Sequence, residues 1–178
     1  GNKEDGVPPC VKVCPEYPGE RMSFKTADGK KIRYRGGATY KRPDGLVLID
    51  SELCIGCGKC IDGCPYGVRS FNPFVKAGKK PEKQAADKCD MCKERVANGI
   101  DPSCVNTCQG RARIFGDLND PNSEVAKLVK EHNLAKKVLL PKEGTDPQVF
   151  YIDPDNMLEK LYTKREKGKL DHYVDVIP

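Results

Sequence analysis

The spacing of its cysteines limits what this chain can fold into more than any other feature. From position 54 it reads Cys54-Ile-Gly-Cys57-Gly-Lys-Cys60-Ile-Asp-Gly-Cys64-Pro65. Two residues between successive thiols hold the backbone in one tight loop, with side chains converging and amide N–H groups turned toward the same space. Gly56 and Gly58 suit that loop, because glycine reaches positive φ without a Cβ clash. Cys64 lies beyond the loop and points elsewhere, and Pro65 ends the row of backbone donors as the chain turns toward a helix. Cys10-Val-Lys-Val-Cys14-Pro15 repeats the ending of this run. Cys89-Asp-Met-Cys92, eleven further residues and Cys104-Val-Asn-Thr-Cys108 repeat all of it, opened between the second and third thiols and with Gln109 in place of the proline. The 10 cysteines all fall into these copies of one pattern, so none is left for a separate task.

Apolar burial alone is thin provision for holding such a chain together. Of the 178 residues 38% are hydrophobic and 32% charged, Trp is absent, and 17 Gly and 14 Pro shorten regular elements. Thiols must supply the difference, as disulfides, zinc sites or iron-sulfur ligation. Disulfides fit poorly, because C-x2-C pairs close strained little loops. Zinc accepts two C-x2-C pairs but has no use for C-x2-C-x2-C-x3-C-P, and either alternative is left open only for a minority of the cysteines. The Cys54 run matches the bacterial ferredoxin ligand pattern for [4Fe-4S] clusters at every defined position. His132 and His172 stand outside the cysteine blocks, which argues against Rieske-type ligation and for surface positions.

Charge points the same way. The formal +5 counts every thiol as neutral, whereas a cubane with four thiolates is anionic, so clusters bring the protein toward or below neutrality. Lys and Arg alternate with acids and form no aromatic-studded basic stripe, so nucleic acid is not expected as a partner. No apolar run approaches a membrane span; Leu46-Val47-Leu48-Ile49 is among the longest. The opening Gly-Asn-Lys-Glu-Asp-Gly has neither an initiator Met nor an apolar signal core, and is expected to follow an earlier segment of a longer protein. Catalysis by side chains has no evident candidates: there is no Ser–His–Asp or Cys–His set free of cluster duty and no phosphate-binding Gly loop.

Beyond the cysteines, several stretches carry a resemblance: Pro8-Pro9-Cys10-Val11-Lys12-Val13-Cys14-Pro15, Gly37-Ala38-Thr39-Tyr40-Lys41-Arg42, Asp44-Gly45-Leu46-Val47-Leu48-Ile49-Asp50, Cys64-Pro65-Tyr66-Gly67-Val68-Arg69, Asp87-Lys88-Cys89 and Ala112-Arg113-Ile114-Phe115-Gly116-Asp117-Leu118-Asn119-Asp120-Pro121. Over residues 8 to about 152 the chain resembles the four-cluster iron-sulfur subunits of molybdopterin oxidoreductases, the group of dimethyl sulfoxide, arsenate, tetrathionate and polysulfide reductases. The resemblance implies an α+β, ferredoxin-like polyferredoxin with tandem cluster-binding βαβ-type units, short strands and helices, and long loops. It implies a cluster domain over 1–120 and, over 121–178, a helix, a strand and a partner-contacting tail.

It also implies a ligand scheme, in which the last cysteine of one motif completes the cluster of another. Cys14 would join Cys54, Cys57 and Cys60, the one cluster fully liganded within these residues. Cys64 would join Cys10 and two upstream cysteines. Cys89, Cys92 and Cys104 would need one upstream cysteine, and Cys108 three, supplied by an earlier segment or by another polypeptide, giving up to four clusters in the complete protein. The implied role is electron transfer without catalysis, docked on a molybdenum or tungsten bis-pterin subunit and further on a membrane anchor or cytochrome. Relatives of this kind are often exported with a catalytic subunit bearing a twin-arginine signal, which implies an extracytoplasmic site. A freestanding polyferredoxin and a zinc-stabilised interaction module are the rival readings.

The chain departs from that family between Pro15 and Gly37. There Met22-Ser-Phe24-Lys-Thr and Lys31-Ile32-Arg-Tyr34-Arg flank Ala27-Asp28-Gly29-Lys30, and the alternation about Asp-Gly predicts a β-hairpin inserted at about 16–37. A second hairpin is predicted from Thr39–Lys41 and Leu46–Ile49. Short helices are expected after Cys14, over Cys60–Cys64 and over Cys104–Cys108, and a longer one over Lys88–Ala97, stopping at Asn98-Gly99. Asn72–Asp87, rich in Lys, Pro and Ala, reads as a loop. Asp120 is expected to cap a helix with Pro121 at its first position and Val125, Leu128 and Val129 as its apolar stripe. Gln148–Ile152 reads as a strand, and the charged tail 153–178 as too polar for a core of its own.

Overall fold

The computed structural model describes residues 5–26, 29–158 and 160. Its elements divide into two units, one ending at Phe115 and the other beginning at Gly116.

The first unit is built on a repeat that the backbone shares with the cysteine pattern. Helices α1 (Pro9–Lys12), α2 (Lys59–Asp62) and α4 (Ser103–Asn106) are each one turn long, with Cys10, Cys60 and Cys104 as second residue. In each copy the closing cysteine donates its N–H back into the turn: Cys14 to Val11 O at 3.1 Å, Cys64 to Ile61 O at 3.1 Å and Cys108 to Val105 O at 3.0 Å. Its own carbonyl then accepts from the residue three further on, Tyr17, Gly67 or Arg111, at 3.1, 3.2 and 3.0 Å. C-x3-C is thus one helical turn with a thiol at each end. The first of these helices precedes Cys14 rather than following it. Pro8 and Pro9 explain the difference, since Pro at N1 starts a helix and loses no hydrogen bond there.

The same unit holds three two-stranded antiparallel sheets. Strands β1 (Arg21–Lys25) and β2 (Lys31–Arg35) form the inserted hairpin, and β3 (Thr39–Lys41) pairs with β4 (Val47–Ile49), both where the alternation placed them. The third sheet corrects the sequence reading of 72–87 as loop: β5 (Ser70–Ala77) and β6 (Lys80–Asp87) are eight-residue strands. Most of their side chains are exposed, so no apolar alternation marked them. Their inner residues are the small Ala77, Ala85 and Ala86, which pack against the cysteines. Helix α3 (Lys93–Ala97) begins five residues later than expected, because Met91 and Cys92 take positive φ, +59° and +51°, and hold 89–92 in a loop.

The two buried clusters are mostly alanine and cysteine, edged by the half-buried Val7, Val47, Ile49, Leu53, Ile61 and Val75, and Leu48 and Tyr40 are buried as well. Cys14, Ala38, Cys54, Ala77 and Ala85 form one buried cluster, and Cys10, Val11, Cys60 and Ala86 a second, with Tyr17 packed against both. Burying so few large side chains yields little transfer free energy, since stabilisation scales with the apolar area removed from water.

In the second unit, helix α5 (Glu124–Glu131) is capped by Ser123, whose Oγ accepts from Ala126 N at 3.2 Å. Asp120 is not the cap, because its carboxylate accepts instead from Asn122 N at 2.8 Å, an Asx turn ahead of the helix. Val125, Leu128 and Val129 do share one half-buried face. The strand expected over 148–152 is reduced to a single bridge, Val138 with Phe150, supported by Tyr151 N to Lys137 O at 2.9 Å. Of the charged tail, residues 159 and 161–178 lie outside the described residues. No helix among the described residues is long and apolar enough to cross a membrane.

Candidate metal centre

Four thiols from two segments line one hollow. Cys54, Cys57 and Cys60 come from the tight loop between β4 and α2, and Cys14 from the end of the α1 turn. Thr39, Gly58, Ala38 and Ala86 help to complete the walls. Cys14, Cys54 and Cys60 are buried, whereas Cys57 is exposed at the rim. The small wall residues leave the room that the thiols surround.

The loop keeps its shape through close backbone contact. Gly56 has φ +61°, and a Cβ there would meet Lys83 Cβ at 2.7 Å and Gln84 O at 2.8 Å. Strand β6 therefore lies directly against the turn. Gly58, at φ +77°, is the N-cap of α2. Gly56 N donates to Cys54 Sγ at 3.3 Å, and the same i to i+2 contact recurs as Met91 N to Cys89 Sγ at 3.5 Å. The amides of Glu16 and Thr39 bond the Cys14 sulfur.

Burial acts on the thiols of Cys14 and Cys10. It pushes the Cys14 thiol up, opposed by those two amides and reinforced by the nearby Cys60 and Cys57. Cys10 is also pushed up by burial, with the Arg69 guanidinium pulling the other way and Cys64 and Cys60 adding to the rise. A metal that binds here must displace protons the fold favours, and its own positive charge offsets the cost of the buried thiolates.

Cys10 and Cys64 lie near one another, beside Arg69. The Arg69 side chain is 5% exposed and donates to Cys10 Sγ at 3.2 Å and to Thr39 Oγ1 at 3.3 Å. Lys88 lies alongside, its ammonium pushed down by burial and by Arg69. Sequence alone gives neither residue a role; a lone Arg five residues after a C-P cysteine carries no signal until the fold sets it against a sulfur.

The remaining four cysteines are more open. Cys89 and Cys104 are exposed, and Cys92 and Cys108 half-buried. Cys92 Sγ lies 3.9 Å from Ser103 Oγ, and Ala112 N donates to Cys108 Sγ at 3.2 Å. His132 is exposed, and His172 lies outside the described residues.

The donor set fits a cluster. All ten cysteines are free thiols, and among the described residues no three His, Cys, Asp or Glu side chains converge on a point that one ion could occupy. Four cysteines lining one hollow match, in number and kind, the thiolate ligands of a [4Fe-4S] cubane. Fold and site together define a cysteine-ligated iron-sulfur domain.

Comparison with known proteins gives the family. The 4Fe-4S dicluster domain matches residues 3–118. The chain is 40% identical over 149 residues to a tetrathionate reductase subunit of Salmonella typhimurium, covering 84% of this chain and 48% of that protein. It is 33% identical over 184 residues to the arsenate respiratory reductase iron-sulfur subunit ArrB of Shewanella sp., covering 81% and 69%. With a polysulfide reductase polypeptide of Wolinella succinogenes it shares 36% over 147 residues, covering 81% and 60%. The chain belongs to the 4Fe-4S dicluster domain family, and [4Fe-4S] clusters are its cofactors. It spans about half the length of several of the curated relatives it matches.

Proposed function

We propose that this protein carries electrons through [4Fe-4S] clusters as the iron-sulfur subunit of a molybdenum or tungsten bis-pterin oxidoreductase, with no catalytic side chain of its own. The observation that carries the reading is the hollow where Cys14, Cys54, Cys57 and Cys60 face one another. Those four would hold one cluster. Cys10 and Cys64 would serve a second, and Cys89, Cys92, Cys104 and Cys108 would divide between two more. A ferredoxin-like fold with tandem cluster-binding units of βαβ type would go with this role; the repeated one-turn helices α1, α2 and α4 support the repetition, whereas β4 and β5 belong to different antiparallel sheets.

A bound cluster supplies a one-electron couple. The chain fixes where that couple sits and how readily it is reduced. The α-turn thiols set cluster positions, the alanine walls keep water from buried sulfurs, and the amides of Gly56, Glu16 and Thr39 stabilise negative charge on sulfur. No proton need move at a side chain for an electron to pass. Further members of the complex would be a membrane anchor or a cytochrome, in an extracytoplasmic setting. The reductase names of the relatives above support the oxidoreductase context.

The test is anaerobic purification of the native assembly. A large subunit with molybdenum or tungsten and pterin should copurify, and adding that subunit's substrate should change the oxidation state of the clusters. A stable monomer with clusters and no such companion would instead favour a freestanding carrier.

A further inference from the structure

The inserted hairpin presents a face that a sheet would not assemble for its own stability. In β1 and β2 the exposed positions are Arg21, Ser23, Lys25, Lys31, Arg33 and Arg35. The register sets Arg21 opposite Arg35 and Lys25 opposite Lys31, with Ser23 opposite Arg33. Like charges directly across a ladder are destabilising, and among the described residues of the two strands no acid or apolar residue shares this face. The cost is borne because the other face is well anchored. Phe24 meets Tyr34 edge-on at 6.0 Å, Tyr34 stacks on Tyr40 of β3 at 5.6 Å, and the Arg42 guanidinium lies 4.1 Å from the Phe24 ring centre.

The ribbon is also rooted at the candidate metal centre. Gly36 N to Glu20 O at 2.9 Å and Gly19 N to Gly36 O at 2.8 Å extend its ladder toward the base. From there the chain runs back through Tyr17, which packs on both cysteine clusters, and Glu16, which lines the hollow, to Cys14.

We infer that the outer face of the β1–β2 ribbon is the docking surface for an acidic, mobile protein electron carrier that exchanges electrons at the Cys14 hollow; this rests on the electron-transfer reading above. Three features select that occupant. Five cations without an apolar neighbour on their face suit a short-lived encounter, because lasting subunit interfaces are larger and more hydrophobic. A purely charged surface raises the rate of encounter with an oppositely charged partner more than it raises affinity. Lipid interfaces engage inserted apolar side chains as well as cations, and here Met22, Phe24, Ile32 and Tyr34 lie on the opposite face. On docking, one electron passes between carrier and cluster, oxidising one and reducing the other, with no bond made or broken.

The experiment uses the intact protein with any subunits that accompany it, and reduced flavodoxin as the acidic probe. In stopped flow, the five-site variant R21T/K25T/K31T/R33T/R35T should be reduced at least about tenfold more slowly than wild type at low salt, and should lose the ionic-strength dependence of that rate. Reduction by dithionite should be unchanged, and R21K/R33K/R35K should keep the wild-type rate, which identifies charge rather than folding as the cause. An unchanged flavodoxin rate in the five-site variant overturns the inference. So does loss of a stably bound subunit in that variant, or wild-type binding to phosphatidylserine vesicles or duplex DNA that the variant lacks while its flavodoxin rate is intact. A protein that binds no cluster at all defeats the electron-transfer reading instead, and shows itself by its colourless spectrum before any rate is measured.

Discussion

Cys54–Cys64 and Cys89–Cys108 are written in nearly the same code, yet the fold treats them differently. In the first, three thiols follow one another at two-residue intervals, two of them are buried, and Cys14 closes the ring around a hollow. In the second, eleven residues separate Cys92 from Cys104, helix α3 fills the gap, and Cys89 and Cys104 face solvent. The motif turns themselves are alike, down to the sulfur-bonding amides of Gly56 and Met91. Short spacing therefore preorganises ligands through the backbone alone, whereas the open copy depends on the metal, and on what surrounds it, to bring its sulfurs together.

The sharpest way to break this comparison is to delete one ligand from each region. Cys57→Ala should abolish the cluster of the hollow, and with it the buried sulfur core, so the largest loss of iron, sulfide and thermal stability is expected there. Cys104→Ala should remove iron and sulfide from the open set while the EPR signal of the other region persists; simultaneous loss of both would show that the regions do not load independently.

A second effect follows from removing the metal altogether. After iron is stripped under anaerobic chelation, hydrogen exchange at 89–112 should rise further than at 54–64, because the latter keeps its contacts with β6 and α1. Equal exposure in both segments would contradict the preorganised loop.

Glycine substitutions sharpen the point on a smaller scale. Gly56→Ala forces a Cβ into Lys83 and Gln84 as well as a left-handed φ, and should cost about 2–4 kcal/mol in a denaturant titration of the loaded protein. Gly99→Ala, at φ +68° with open space around it, carries the backbone term alone, about 1 kcal/mol. Parity between the two would mean that β6 does not brace the cluster loop.

Removing the cation at the edge of the compact region should change potential rather than structure. Reduction adds negative charge beside Cys10, and the Arg69 guanidinium stabilises it. Arg69→Gln should lower the midpoint of the cluster that Cys10 would bind by roughly 59 mV, a tenfold change for one electron, as read by EPR-monitored titration. Arg42→Gln, a buried arginine paired with Asp44 on the β3–β4 turn, should leave every midpoint in place.

These regions also show why some of the molecule could be read from the chain and some could not. Cluster loops, the β1–β2 alternation and the β3–β4 hairpin are local patterns in which a few residues decide the geometry. Strands β5 and β6 are not local in that sense. Lys79, Lys80, Pro81, Glu82 and Lys83 look like loop, and the strands exist because Ala77, Ala85 and Ala86 are small enough to let sulfur and a glycine turn approach. Ser123 prevailed over Asp120 as helix cap because the Asp side chain was already committed to Asn122 N. The sulfur contact of Arg69 spans 59 residues of sequence, a distance at which spacing is silent.

The most direct measurement is the metal itself. Purified without oxygen, the protein should be brown, contain iron and acid-labile sulfide in equal amounts, and give a paramagnetic signal on reduction with dithionite that changes when Cys14 is replaced by Ala. Zinc without sulfide, or a reduced-state signal indifferent to Cys14, would contradict the account.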